Sequence, residues 1–142
     1  MNATLAILLR IAGGVLLLLA AIHRPIGQRL KWREESLLLS PVNAAVFQVH
    51  TLFICLVLIL MALPCVFAPG IFLERNRAGS WLAWTFAAFW TVRLYVQWFV
   101  FPRTLWLGRK FETKVHLLFT AIWIYLAGLF VICAAHQAGW LP

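Results

Sequence analysis

The chain has no aspartate, and its acidic residues number only four among 142. Charged residues of both signs make up 11% of the sequence against 64% hydrophobic ones, and the mean hydropathy is +0.92. A water-soluble domain of this length needs far more polar surface to cover itself. The shortage of carboxylates also removes much chemistry. No GxSxG element occurs and no aspartate is there to complete a nucleophilic triad. The three cysteines form no CxxC pair, and the four histidines form neither HxxxH nor HExxH, so no metal-site spacing is written locally. Cys65 and Cys133 fall toward the same ends of their runs, which makes a disulfide between them conceivable. Buried thiols are the simpler reading. Low-complexity tracts and long linkers are missing as well.

What remains is mostly apolar runs of about 20 residues, the length that crosses a bilayer as a helix. In lipid every backbone polar group must find an internal partner, and the runs are continuous rather than alternating, so helices are expected and a barrel is not. The pattern predicts spans over about 4–23, 41–63, 80–101 and 113–137. Ser40-Pro41 is a cap followed by a proline suited to the first helical position, Pro64 is expected to end or kink the second span, and Pro102 to end the third. The fold class expected is all-α: a single polytopic membrane domain over 1–142, built as an up-down-up-down four-helix transmembrane bundle with short loops.

The net charge of +8 is unevenly placed. Arg24, Arg29, Lys31 and Arg33 follow the first run, and Arg103, Arg109, Lys110 and Lys114 follow the third. Only Arg75 and Arg77 lie between the second and third. The positive-inside bias puts the first and last of these loops in the cytoplasm and both termini on the outer, periplasmic side, as in a bacterial inner membrane. Basic loops of this kind suit anionic lipid headgroups. They do not make a nucleic-acid surface, which needs a basic face on a folded domain. No Lys or Arg precedes Leu5 and the basic cluster follows the apolar run, the reverse of a signal peptide's charge order, so the first run is expected to persist as a span. The segment around Trp32 and Leu37-Leu38-Leu39 reads equally as an interfacial stretch or as a solvated connector.

Under this topology His23, His50, Arg93, Gln97, Glu112 and His116 all fall in the cytoplasmic half. Polar side chains within a span normally face the bundle interior or a wet cavity. Helical spacing gathers them into stripes: Arg93 with Gln97, Glu112 with His116 and Thr120, Asn43 with His50. Arg93 lies about 12 Å from the end of its span, deep for a loop anchor. The alternatives are local: Arg93 snorkelling, His50 bonding a neighbouring helix, Glu112 placed for the helix dipole, His23 and His116 at the headgroups. His136, at the outer end, reads as interfacial. Most tryptophans read as belt residues, with Trp90 and Trp98 available to wall a pocket.

Three ligand chemistries follow. A b-type haem would take His50 and His116 as axial ligands with arginines on the propionates, although the two lie at different depths in their spans. A single Zn or Fe ion would take His50, His116 and Glu112, with His23 as a weaker fourth. An anionic headgroup, carboxylate or quinone-like ligand would use Arg93, Gln97 and the basic rim, with a histidine as proton donor or acceptor. The functional expectation is a small ligand- or cofactor-binding membrane protein, surrounded by lipid and suited to a membrane-protein partner or a second copy. A His- or metal-dependent enzyme acting on a lipid-like substrate, and a structural subunit whose polar groups only fasten helices, are the alternatives. The stretches VHTLF (49–53) and VHLLF (115–119), each preceded by an RxxW, raise the further idea of a duplicated hairpin.

Overall fold

The computed structural model describes residues 2–141, and among them all regular structure is helical. The helices are α1 (Asn2–Arg29), α2 (Trp32–Ser36), α3 (Pro41–Phe67), α4 (Gly70–Leu73), α5 (Arg77–Tyr95) and α6 (Lys110–Gln137). A π-helical turn, Val96–Val100, continues α5, and a 3-10 turn, Arg103–Leu105, precedes α6. Three of the helices, α1, α3 and α6, are long and apolar enough to cross a membrane.

The helices overrun the expected spans. α1 and α3 pass through Pro25 and Pro64 without ending. Around Pro64 the chain is apolar and little outside the helix competes for its backbone, so a proline is tolerated there. Ser40 caps α3 as expected, its hydroxyl accepting from Asn43 N at 3.4 Å. The third expected span departs most. α5 begins at Arg77, capped by the Asn76 side chain, which accepts from Gly79 N at 2.8 Å. Its arginines and tryptophans leave it outside the set of three helices apolar enough to cross. In place of the expected four membrane-length helices, the all-helical chain has three among its described residues.

The chain resolves into two compact units. One runs from Leu9 to Pro69, and the other takes the N-terminal residues up to Leu8 together with Gly70 onward. In the first, α1 meets α3 at Gly13: a Cβ there would lie 2.5 Å from Val66 Cγ2 and 3.0 Å from the Ala62 carbonyl. The absent side chain is what allows this approach. The Trp32 ring of α2 stands edge-on to Phe47 of α3, with centroids 5.8 Å apart, and close over Gly27 of α1.

In the second unit α5 and α6 form a hairpin over a core of aromatic layers. Phe72 of α4, Phe86 of α5 and Phe130 of α6 meet with centroids 5.0–5.6 Å apart. One layer on, Trp90 stacks on Trp123 at 5.2 Å. Alanines 83 and 87 on α5, and 127 and 134 on α6, are buried and leave room for these rings. The far end of the hairpin is latched. His136 Nε2 lies 3.0 Å from the Leu73 carbonyl, and Gln137 Nε2 donates to the carbonyls of Glu74 and Ile71. Arg75 donates to the carbonyls of His136 and Leu141. The carbonyls of Ile71, Leu73 and Glu74 are ones that the short α4 leaves over, and those of His136 and Leu141 lie at and beyond the end of α6. His136, expected at an interface, is 95% withdrawn from solvent, at 5% relative exposure. Its ring belongs to this latch.

Candidate functional site

The continuing hairpin carries a polar cluster just beyond the Trp90–Trp123 layer. On α5, Arg93 precedes the π turn, and Gln97 lies within it. The turn is marked by Phe101 N donating to Val96 O, a five-residue step, at 3.3 Å. Such a turn widens the helix locally and recurs at functional positions. Here it seats a buried Gln97, at 6% exposure, over α6.

Gln97 is the hub. Its Oε1 accepts from Arg93 Nη1 at 3.1 Å and from Trp123 Nε1 at 3.2 Å. Guanidinium and indole N–H groups can only donate, so they fix which end of the amide is oxygen. The amide nitrogen then faces His116 Nδ1 at 2.7 Å, and that ring nitrogen must accept. The neutral ring therefore carries its proton on Nε2. Trp106, from the loop before α6, lies flat on the His116 ring, with centroids 3.9 Å apart and planes 10° from parallel. The Thr113 hydroxyl is 2.7 Å from the Trp106 carbonyl and holds that loop to the helix start.

The half-buried Arg93 guanidinium stands over the Trp123 ring at 4.6 Å and the Phe101 ring at 5.7 Å. Cation–π contacts of this kind contribute roughly 0.5–2 kcal/mol each. No carboxylate lies within ion-pair distance of Arg93 among the described residues. A guanidinium has five N–H donors, and the Gln97 bond uses one. The arrangement is a fixed cation with donors to spare, beside an imidazole that offers Nε2–H. It contains no nucleophile and no carboxylate base. It can hold an anion and donate it a hydrogen bond from a ring nitrogen.

Of the residues singled out from sequence, Arg93, Gln97 and His116 meet here. Glu112 is exposed in the first turn of α6, where its charge complements the helix dipole. His23 and His50 lie in the Leu9–Pro69 unit. His23 Nδ1 is 2.7 Å from the Leu19 carbonyl, and His50 Nδ1 is 2.8 Å from the Val46 carbonyl, so each ring is engaged by its own helix. His50 is exposed. Among the described residues no group of three His, Cys, Asp or Glu side chains is placed to hold a metal ion. Cys133 is a buried thiol, and no disulfide joins it to Cys65 among the described residues. The two VHxLF histidines have unlike surroundings: one bonds its own helix, the other a glutamine on α5.

Three members of the cluster were not singled out. Trp123 follows His116 by seven residues, on the same helical face, and that spacing was available as a signal. Trp106 carries no sequence signal beyond its RxxW spacing from Arg103. Phe101 offers no sequence signal beyond its place before Pro102. Comparison with protein-family models, with curated proteins and with solved structures returns no match for the chain.

Proposed function

We propose that this is an integral membrane protein whose Arg93–Gln97–His116 cluster binds the anionic end of a membrane-soluble amphiphile. The observation that carries the reading is Arg93 itself: a half-buried guanidinium, oriented by Gln97 and two aromatic rings, with no carboxylate among the described residues to neutralise it. A cation in such a place is costly unless it is paired or reaches water, so a matching anion is its natural partner. The guanidinium fork suits a carboxylate, and His116 Nε2–H adds a neutral donor.

The proposal includes the topology. α5 and its π turn make a fourth crossing in addition to the three membrane-length helices, both termini lie outside, and the basic loops are cytoplasmic. Arg93 then lies on the cytoplasmic side, about 12 Å inside the end of its span. Haem ligation through His116 Nε2 is the weaker reading. It would need the ring proton on Nδ1, facing an amide NH2 that Arg93 and Trp123 prevent from flipping.

The test is a titration of the purified full chain, in a neutral detergent, with oleate and with methyl oleate, read by native mass spectrometry. Oleate is expected to bind in preference to its ester, and Arg93→Gln to lose that preference by tenfold or more. Equal binding of the ester, or an unaltered preference in the variant, would overturn the reading. A Soret band in the purified protein, lost on His116→Ala, would replace it with haem.

A further inference from the structure

A second feature lies wholly in the Leu9–Pro69 unit and takes no part in the Arg93 cluster. A groove of about 380 Å³ opens between α1, α2 and α3. That volume is within the range of about 300–1,000 Å³ common for small-molecule sites. Its wall is largely apolar, with Ala20, Leu52 and Cys55 toward one end. His23, Arg24, Gln28, Trp32, Arg33 and Thr51 are its donor-bearing side chains, and among the described residues no acidic one lines it. The acidic Glu34 of the same short helix is instead engaged with Lys31 at 3.4 Å, with both side chains exposed.

The groove's shape depends on the α1–α2 corner. Lys31 takes a left-handed conformation (φ 53°), unusual for a residue with a side chain, and so turns α2 back on α1. Trp32 is thereby brought over Gly27, where an added Cβ would come within 2.9 Å of the indole. Its ring stands edge-on to His23 and Phe47, at 6.4 Å and 5.8 Å. Immediately after α2, Leu37, Leu38 and Leu39 are 79%, 82% and 45% exposed. Three consecutive exposed leucines beside a basic cluster suit the boundary between headgroups and acyl chains. Along α1 the lining from Ala20 to Gln28 covers about 12 Å, enough to run from acyl carbons to a headgroup.

We infer that this groove is a binding site for one anionic phospholipid, with its phosphodiester at Arg24 and Arg33 and its first acyl carbons along Ala20, Leu52 and Cys55. The charge of the rim selects the headgroup, and the apolar floor selects a lipid over a free anion. The site is separate from the oleate site proposed above, and neither depends on the other.

The experiment compares phosphatidylglycerol with phosphatidylcholine of the same acyl chains, added to the full-length protein in neutral detergent and followed by native mass spectrometry. The unaltered chain is expected to take up one phosphatidylglycerol selectively. The Arg24→Gln/Arg33→Gln double variant should lose that selectivity by tenfold or more while keeping its helical circular dichroism. Lys110→Gln/Lys114→Gln removes the same charge elsewhere and should leave it unchanged. Gly27→Ala, which displaces Trp32 without touching charge, should weaken uptake. Equal loss in the lysine control would show bulk attraction only and overturn the site. So would equal uptake of phosphatidylcholine, or competition by glycerol phosphate at the same concentration as the lipid.

Discussion

Replacing Gln97 separates the structural and the binding roles of the cluster, because leucine and glutamate fail there in different ways. Gln97→Leu keeps the approximate shape and removes every hydrogen-bonding atom. The Trp123 ring is buried, at 6% exposure, so its indole N–H is left without an acceptor, a loss of about 1–3 kcal/mol. Arg93 and His116 are only half-buried and keep their contacts with Phe101, Trp123 and Trp106, so their losses are smaller. A total destabilisation of about 2–4 kcal/mol is expected. Gln97→Glu keeps two acceptors for Arg93 and Trp123, and His116 can answer the carboxylate by moving its proton to Nδ1. Stability should then change by about 1 kcal/mol or less, the gain of an ion pair set against the burial of a carboxylate. The carboxylate, however, occupies the charge of Arg93. Oleate should lose its advantage over methyl oleate by about the same factor as in Arg93→Gln.

The assays are reversible unfolding in a denaturing detergent, followed by far-ultraviolet circular dichroism, and the oleate titration on the same preparations. Stability and binding are expected to part company: leucine lowers the first, glutamate only the second. If Gln97→Leu unfolds at the same detergent fraction as the unaltered chain, the hub contributes no stability and the hydrogen-bond reasoning fails. If Gln97→Glu binds oleate undiminished, Arg93 is not what recognises the anion.

Two further pairs of substitutions test the packing. Gly13 and Gly14 are neighbours in α1, yet only the first meets another helix; a Cβ at Gly14 finds nothing within 4 Å. Gly13→Ala should destabilise by roughly 1–3 kcal/mol through overpacking, and Gly14→Ala should be neutral or stabilising by about 0.5–1 kcal/mol, in the same unfolding assay. Trp90 and Trp123 stack on each other, but the buried Trp90 indole nitrogen has no partner among the described residues, whereas that of Trp123 bonds Gln97. Trp90→Phe and Trp123→Phe lose the same ring volume, so Trp123→Phe should be the more costly by about 1 kcal/mol, and equal losses would remove the indole bond from the account.

The helical character and the rough positions of the apolar segments were legible because they rest on composition and run length, which need no knowledge of neighbours. Helix ends were less so. Pro64 reads as a stop or a kink under soluble-protein rules, where a freed carbonyl has water to turn to. Inside an apolar surrounding the helix has no better alternative and continues. The π turn at Val96–Val100 left no trace in the sequence, since a one-residue widening is decided by what Gln97 must reach on α6. The latch at the other end of the hairpin was hidden for the same reason. His136 and Gln137 look like an interfacial helix end until α4 folds over them and presents its carbonyls.

The cluster was legible in proportion to how local its contacts are. Arg93 and Gln97 are one helical turn apart and could be paired from spacing alone. His116 was placed near them only by assuming antiparallel neighbours, an assumption the α5–α6 hairpin meets. His50 entered on the same footing, as a histidine early in an apolar run, and its ring bonds the Val46 carbonyl of its own helix. The pattern VHxLF therefore says where a histidine sits along a helix and nothing about which partner it finds. The partner on α5 is supplied by Gln97, and the orientation of Gln97 is supplied in turn by Trp123, a residue that counting polar groups passes over. In an apolar chain the indole is part of the polar inventory. Its single donor, placed beside that of Arg93, turns the glutamine amide and decides which histidine nitrogen keeps the proton. Aromatic positions at helical spacing from a buried arginine or histidine thus belong among a membrane chain's candidate site residues.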